Sequence, residues 1–527
     1  MKSIIKIFRS GELINESAAA LGDTLLKHIG SVGVFLDSPC GGEGKCGKCL
    51  VRLSPDGEQV LACRTKIEGD MCVYLPDEVE MEIAGAERLS GEWRVESGEL
   101  ETRDTSVIND RHWGAKRPIG VAVDIGTTTV VAHLTDLVTG ERIATASGVN
   151  AQRTYGADVI SRIRFCAANG HETLTRLIRG QLASLIRDMC ATSGVRSDDI
   201  DYVFIAGNTI MEHLAAGFSP VGMGTVPFTP ISLFGEEMAA GEDLHVSAEA
   251  KIYFAPAISA YVGGDVTAGM LAAGFEDAPN AAVYVDIGTN GEIVLKVDDT
   301  YYCCATAAGP AFEGAEITMG MAAVNGAINH VKWDNGLEFS VIGGGSARGL
   351  CGSGLLDALA VLLDTGAVDE TGRLLGADEI GNDIAGHIGI EDGRNVFRLT
   401  TGEDSVYISS SDIRKLQLAK SAIAAGIQTL LNHAGVPDGQ VRSFILAGGF
   451  GSYMDQFSAA RIGLFPECFL PFAQALGNTA GEGAAIALCS ETARAALDGI
   501  RKRCEYVELS TSPFFNEQFV EQMTFPY

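Results

Sequence analysis

One pattern occurs twice in this chain. Residues 121–134 read VAVDIGTTTVVAHL and residues 283–295 read VYVDIGTNGEIVL. Each is an apolar strand that ends in Asp-Ile-Gly-Thr, turns on the glycine and leaves as a second strand. Two related copies far apart in the chain predict a duplicated fold with two facing lobes. The texture from residue 118 onward agrees, because apolar strands, glycine turns and amphipathic helices alternate as in α/β proteins. The lobes are expected at roughly 118–275 and 280–527 of the 527 residues.

The turns carry chemistry. Asp124-Ile-Gly-Thr-Thr-Thr129 closes a strand so that Gly126 and the amides of Thr127, Thr128 and Thr129 face phosphate oxygens, while Asp124 holds a hydrated magnesium. Asp286-Ile-Gly288-Thr289-Asn290 does the same from the opposite lobe. A third element is FILAGGFGS at 444–452, a buried strand that ends in Gly448, Gly449 and Gly451, where adenine and ribose lie against bare backbone. Gly477 to Gly483 follows and opens a helix from Ala484. Three elements in this order resemble the acetate and sugar kinase, heat-shock and actin ATPase superfamily (ASKHA), whose lobes are duplicated RNase H-like α/β units. The resemblance implies ATP and Mg2+ as ligands.

Weaker candidates surround these. Gly263-Gly264-Asp265 precedes an apolar helix, and Asp265 either approaches the magnesium and the attacking water or caps the helix. Asp124, Asp286 and Asp265 are thus the expected catalytic carboxylates. Gly352-Ser353-Gly354 opens another helix and could meet a phosphate. Asn208 ends a strand that faces the cleft. Glu313 either positions water or is a surface carboxylate. Gln417 and Lys420 share one helix face, where a snorkelling lysine is the bland reading.

The N-terminal region is of another kind. Residues 2–8 alternate as a strand, 16–29 read as a helix with Leu21, Leu25, Leu26 and Ile29 on one face, and short strands are expected at 48–53, 59–63 and 71–75. Between them lies SPCGGEGKCGKCLVRL, followed by VLACRT. Five residues separate Cys40 from Cys46, two separate Cys46 from Cys49, and thirteen separate Cys49 from Cys63. A 2Fe–2S cluster needs four thiolates on a compact loop, and glycines 41, 42, 44 and 47 let the loop curl and aim N–H groups at sulfur. The plant-type pattern has four residues in its first gap; this chain has five. A four-cysteine zinc site is the alternative, but such sites pair two C-x-x-C hooks and only one is present. Gly42 to Cys49 also approaches a Walker A loop, without the terminal Ser or Thr and without a following helix. Residues 1–80 are therefore read as a β-grasp, plant-type 2Fe–2S ferredoxin domain and 81–117 as a linker.

Composition narrows the setting. A net charge of −29 opposes nucleic-acid binding. No apolar stretch approaches the about 20 residues of a membrane helix, and the start MKSIIKIFRSGE lacks a signal core. A cytoplasmic chain is expected. The 13 cysteines do not form a disulfide framework. Cys303 and Cys304 are adjacent, read as buried inert thiols, and the remaining cysteines show no ligand spacing.

Taken together, CGGEGKCGKC with Cys63, DIGTTT, YVDIGTNGE, AAGPAFEGAEITMGM, GLCGSGLLDAL and LAGGFGS resemble the reductive activators of corrinoid-dependent enzymes, the RACE proteins, over nearly the whole chain. The resemblance implies ATP-dependent reduction of an inactive cob(II)alamin-type cofactor to cob(I)alamin, with a corrinoid protein of a methyltransferase system as partner and a low-potential electron donor. It implies that Cys40, Cys46, Cys49 and Cys63 bind the cluster, and that Asp124, Thr127, Asp286, Gly288, Gly448 and Gly449 bind nucleotide and magnesium. Larger members carry a middle domain; with so few residues between Pro76 and Val121, that domain is expected to be absent or merged into the first lobe. A homodimer is left open. Two other functions stay open as well: a small-molecule kinase of the same superfamily with an accessory cluster, and a nucleotide-regulated redox sensor.

Overall fold

The computed structural model describes residues 2–34, 36–38, 42, 44, 47–55, 57–76, 118–314, 316–334, 336–381, 383–402, 405–449 and 454–526. Cys40, Cys46 and the segment read as a linker lie outside the described residues, as do Gly41 and Gly451.

The first strand needs an edge partner, and it finds one in the next segment. β1 (Lys2–Arg9) pairs antiparallel with β2 (Glu12–Ala20) along its whole length and parallel with β5 (Met71–Tyr74). With β3 (Leu50–Arg52) and β4 (Gln59–Leu61) the sheet order is β2-β1-β5-β3-β4. The helix α1 (Leu25–Ser31) lays Leu25, Leu26 and Ile29 against Ile5, Ile7, Val51 and Val73. The helix expected over 16–29 is thus corrected. Its first five residues are strand, because pairing with β1 overrides the helix preference of an alanine run. Gly22, with φ +89°, turns the chain, and the Thr24 hydroxyl accepts the Lys27 N–H to start α1. Leu21 falls in that turn and is exposed rather than on the apolar face.

The remainder contains two six-stranded sheets that begin alike. In the first, β6 (Ile119–Ile125), β7 (Thr129–Asp136) and β8 (Arg142–Val149) form an antiparallel meander. β9 (Ile200–Gly207) joins β6 in parallel, followed by β11 (Lys251–Phe254), with β10 (Glu237–Ala239) at the edge. In the second, β12 (Ala282–Ile287), β13 (Gly291–Val297) and β14 (Thr300–Thr306) form the meander. β21 (Ser443–Ala447) and β22 (Ala473–Gly477) extend it in parallel, with β23 (Cys504–Tyr506) beyond β14. The orders β8-β7-β6-β9-β11 and β14-β13-β12-β21-β22 correspond strand for strand, which is the duplication expected from the repeated hairpin.

Helices cover both sheets. α2 (Val159–Asn169), α3 (Glu172–Ser193) and α4 (Thr209–Ala216) close the first core. α6 (Gly352–Asp364), α7 (Ser410–Ala434), α8 (Gln456–Arg461) and α11 (Pro513–Glu521) belong to the second lobe. So do two small sheets, β16 (Leu337–Val341)-β15 (Ala327–Trp333)-β17 (Gly349–Leu350) and β18 (Ile388–Glu391)-β19 (Arg394–Arg398)-β20 (Tyr407–Ser409). α5 (Gly264–Ala272) crosses α9 (Thr479–Cys489) between the lobes, and α10 (Glu491–Arg503) packs beside them. Their core joins Ala122 and Phe204 of one sheet to Tyr284 and Ile445 of the other. The crossing is close enough that a Cβ on Gly483 would sit 1.9 Å from the Ala268 carbonyl oxygen, so glycine is required there. α9 begins five residues earlier than expected, because the Asn478 side chain caps it at the Gly481 N–H. Among the described residues no helix is long and apolar enough to cross a membrane.

Candidate functional site

Both repeated hairpins end at one cleft. Asp124 sits at the end of β6 and Asp286 at the end of β12, and the turns Gly126–Thr128 and Gly288–Asn290 face each other across it. The Thr128 hydroxyl is 3.2 Å from that of Thr289 and donates to Glu313 Oε2 at 2.5 Å. Thr289 donates to Glu313 Oε1 at 2.8 Å. Glu313 is therefore a cleft carboxylate that bridges both turns, not a surface one. It is placed by a 3-10 turn at Pro310–Glu313 that follows β14.

The first turn is held from behind. Asn150 Nδ2 donates to the Gly126 carbonyl at 2.9 Å, the Asn150 N–H to the Thr128 carbonyl at 2.8 Å, and Arg162 Nη2 to the Thr127 carbonyl at 2.5 Å. The second turn closes on itself, with the Gly288 N–H donating to the Asn290 carbonyl. Gly448, at the end of β21, has φ +94°, and a Cβ there would lie 2.7 Å from Asp286 Oδ1 and 2.4 Å from the Ile287 carbonyl oxygen. Gly449 faces open space. The three elements that the sequence separates by up to about 320 residues thus converge at the carboxyl ends of β6, β12 and β21.

Carboxylates crowd this place. Burial pushes Asp124 up to about 7, with Asp286 adding repulsion and the Asn478 side chain opposing. Burial likewise pushes Asp286 up to about 6 against a weak contact from the Tyr284 hydroxyl. Asp265 is raised by burial and then by Asp286 and Asp124, and Glu292 is raised by burial and then by Asp265 and Asp286. Buried acids that repel one another mark a place that favours a cation. No group of three or more His, Cys, Asp or Glu forms a ready metal cage among the described residues. Asp265 lies in the first turn of α5, and Gly263, not Asp265, is the N-cap; its Oδ1 accepts the Val266 N–H.

Other expected residues go elsewhere. The Ser353 hydroxyl donates to the Asn329 carbonyl, and Gly354 lies against Ile328, so the start of α6 is covered by β15. Asn208 caps α4 through its Oδ1. Lys420 does not snorkel. Its ammonium is buried, donates to the Thr524 carbonyl at 2.9 Å and is pushed down to about 8 by burial, while Gln417 binds the Thr371 and Met523 carbonyls. Both fasten the C-terminal segment. Cys303 and Cys304 alternate on β14 and enter different cores, and both thiols are pushed up.

At the N-terminal loop, Cys49 and Cys63 are buried. The Ala62 N–H donates to the Cys49 carbonyl, which sets the two cysteines on adjoining ends of β3 and β4. Gly42, Gly44 and Gly47 all have positive φ, and a Cβ on Gly42 would come 3.8 Å from that of Cys63. Gly42 thus lies against Cys63, and Arg64 Nη2 donates to the Gly44 carbonyl.

Comparison with known proteins decides the family. The chain is 30% identical to the corrinoid activation enzyme RamQ of Eubacterium limosum, over 97% of this chain and 98% of that one. The chain belongs to this family of corrinoid activators. A second family member, the [Co(II) methylated amine-specific corrinoid protein] reductase of Methanosarcina barkeri, is 26% identical over 77% of each chain. The solved structure of a reductive activator for corrinoid, iron-sulfur protein superposes with a TM-score of 0.72 at 28% identity, covering 100% of this chain and 98% of that one. The family description of the C-terminal domain of RACo, the ASKHA domain, matches residues 280–527, and that of the RACo middle region matches residues 119–278. The middle region of the family is therefore the sheet built on β6, and it is present in this chain.

Sequence reasoning missed Asn150, Arg162 and Glu292. The first two act across 24 to 35 residues of chain, and no local motif marks them. The one available signal was Arg162 itself, a charged residue among the buried positions Val159, Ile163 and Cys166 of α2.

Proposed function

We propose that this chain is an ATP-hydrolysing corrinoid reductase. It reduces the inactive cob(II)alamin-type cofactor of a methyltransferase system's corrinoid protein to cob(I)alamin. The single observation that carries this reading is the full-length likeness to a corrinoid activation enzyme, joined to a cleft in which both phosphate turns meet at Glu313.

The residues suggest a division of labour. Gly126, Thr127, Thr128, Gly288, Thr289 and Asn290 cradle the phosphates, and Gly448 and Gly449 leave room for adenosine. Asp124 and Asp286 hold hydrated Mg2+, and Asp265 orients the attacking water from the start of α5. Residues 1–80 form a plant-type 2Fe–2S ferredoxin domain with Cys40, Cys46, Cys49 and Cys63 as ligands. The buried pair Cys49 and Cys63 and the positive-φ glycines Gly42, Gly44 and Gly47 before them support that ligand set. When bound, such a cluster supplies single electrons at about −400 mV. A cobalt couple that lies lower is not filled by this donor at equilibrium, so free energy from ATP has to enter. Closure of two lobes on the nucleotide is the means, and the α5–α9 crossing between the two sheets is the hinge. The reading places the enzyme in the cytoplasm with a low-potential electron donor; a homodimer is compatible with it.

The test is anaerobic purification and electron paramagnetic resonance of the reduced protein. A rhombic 2Fe–2S signal that a cob(II) corrinoid protein oxidises only after ATP is added is the expected result. Zinc in place of iron and sulfide, or oxidation that ignores ATP, overturns the reading.

A further inference from the structure

The turn between β8 and α2 touches both the first glycine turn of the cleft and the N-terminal domain. Its first residue, Asn150, is buried and grips the Gly126 and Thr128 carbonyls. Its side-chain oxygen also accepts the Gln152 N–H at 3.0 Å. Gln152 Oε1 in turn accepts from Arg162 Nη1 at 3.2 Å, and Arg162 grips the Thr127 carbonyl. Three successive carbonyls of the first phosphate turn are thus fastened by one small network. A trans peptide directs its C=O and the next N–H to opposite sides. Anchoring the carbonyls of Gly126, Thr127 and Thr128 therefore turns the amides of Thr127, Thr128 and Thr129 away from Asn150 and Arg162.

The other end of the same turn meets the N-terminal domain. Arg153 Nε donates to Asp37 Oδ1 at 3.2 Å, and the Thr154 hydroxyl to the Leu36 carbonyl at 3.4 Å. Tyr155, tilted against Phe165 with ring centroids 4.6 Å apart, lies over α1 so closely that a Cβ on Gly30 would be 2.6 Å from its hydroxyl. Leu36 and Asp37 stand four and three residues before Cys40. Asn150 and Tyr155 are the ends of a six-residue piece whose body is one 3-10 turn, Ala151–Tyr155.

We propose that Asn150 and Arg162 are positioning residues for the phosphate turn and that the segment Asn150–Tyr155 couples nucleotide binding to the seating of the cluster domain. The coupling rests on the functional reading above for the identity of its two ends. Linkage makes the effect reciprocal, so that disturbing the seat must alter nucleotide affinity by the factor by which nucleotide alters the seat. No change to any phosphate contact is needed.

The experiment uses the full-length, cluster-loaded protein and the magnesium complex of a non-hydrolysable ATP analogue. Calorimetry gives its dissociation constant for wild type, Gly30→Leu and Arg153→Ala, neither of which touches the phosphate turn. Each is expected to weaken binding about fivefold or more. Combining either with Asn150→Ala is expected to weaken binding less than the product of the single effects. Arg162→Lys, which keeps the charge but loses the fork, is expected to raise KM more than it lowers kcat. Amide exchange in residues 24–38 should slow when nucleotide binds wild type, and not in Arg153→Ala. Dissociation constants within twofold of wild type in both seat variants, or exchange indifferent to nucleotide in wild type, overturn the coupling. Should Gly30→Leu fail to fold, Asp37→Ala, which removes the carboxylate that Arg153 holds, is held to the same criterion. If wild type binds no nucleotide, the functional reading falls and the coupling with it; if nucleotide binds and the seat variants match wild type, the coupling alone falls.

Discussion

Thr128 and Glu313 join the two lobes across the cleft, hydroxyl to carboxylate, at 2.5 Å. Glu313 holds Thr289 by its other oxygen, so one carboxylate ties both glycine turns together. An anion brought between the turns competes with it for the same hydroxyls.

Glu313→Gln follows from that competition. The amide keeps the shape and still accepts one hydrogen bond, but it no longer repels phosphate. Nucleotide binding is expected to stay equal or tighten. Hydrolysis is expected to fall about a hundredfold, the low end of what a general acid or base contributes. Single-turnover hydrolysis beside calorimetry checks the split; weaker binding with unchanged hydrolysis contradicts it.

Asp124 and Asp286 make stability depend on pH. Both are raised from an ordinary value of 3.8, to about 7 and about 6. An acid raised by folding contributes stability that is complete below its unfolded value and lost as pH climbs through its folded value. Without magnesium or nucleotide, the thermal midpoint of the ATPase lobes should therefore fall between about pH 4 and pH 7. Asp286→Asn should flatten that fall and raise the midpoint at pH 8 by about 2–4 °C, while losing magnesium-dependent nucleotide binding. Magnesium nucleotide should flatten the wild-type curve, because a bound cation favours the ionised carboxylates. Differential scanning fluorimetry across pH reads all three.

Much of this site was legible because its parts are local. A strand, an Asp and a glycine turn are written in consecutive residues at 121–129 and again at 283–290, and the fold brings both to one cleft. Glu313 is ambiguous in the sequence, since only the closeness of Thr128, 185 residues away, places it inside. Asn150 carries no local mark for the same reason, and Arg162 shows only as a charge among the buried positions of α2. The helix expected over 16–29 shows the opposite failure: alanine preference is a local signal, and a neighbouring strand that needed pairing outweighed it. Ser353 misled because a glycine-rich helix start looks the same whether it faces phosphate or, as here, the backbone of β15.

Gly448→Ala tests the adenosine end. Alanine at φ +94° costs about 1–2 kcal/mol on its own. Its Cβ would also press on the Ile287 carbonyl and on Asp286, so β21 must shift away from the second phosphate turn. Nucleotide affinity is expected to drop tenfold or more with the far-ultraviolet spectrum retained. Gly449→Ala, which meets open space, serves as the matched comparison. It should leave the fold untouched and lower affinity only through what it presses against in the bound nucleotide.

Cys49→Ser separates the corrinoid reductase from a kinase with an ornamental cluster. Cys49 is buried beside Cys63 at the meeting of β3 and β4, far in sequence from every residue of the cleft. Serine is a poorer ligand and a near match in size, so the domain should remain folded while iron and sulfide content and the visible absorbance fall. ATP analogue binding should persist, because Asp124, Asp286 and Gly448 are untouched. Cobalt reduction should vanish even with ATP and a strong donor present. Cobalt reduction that survives in a protein without iron would mean that the electron takes a path other than these sulfurs. Phosphoryl transfer to a metabolite at an unchanged rate would move the whole chain into the kinase branch of its superfamily.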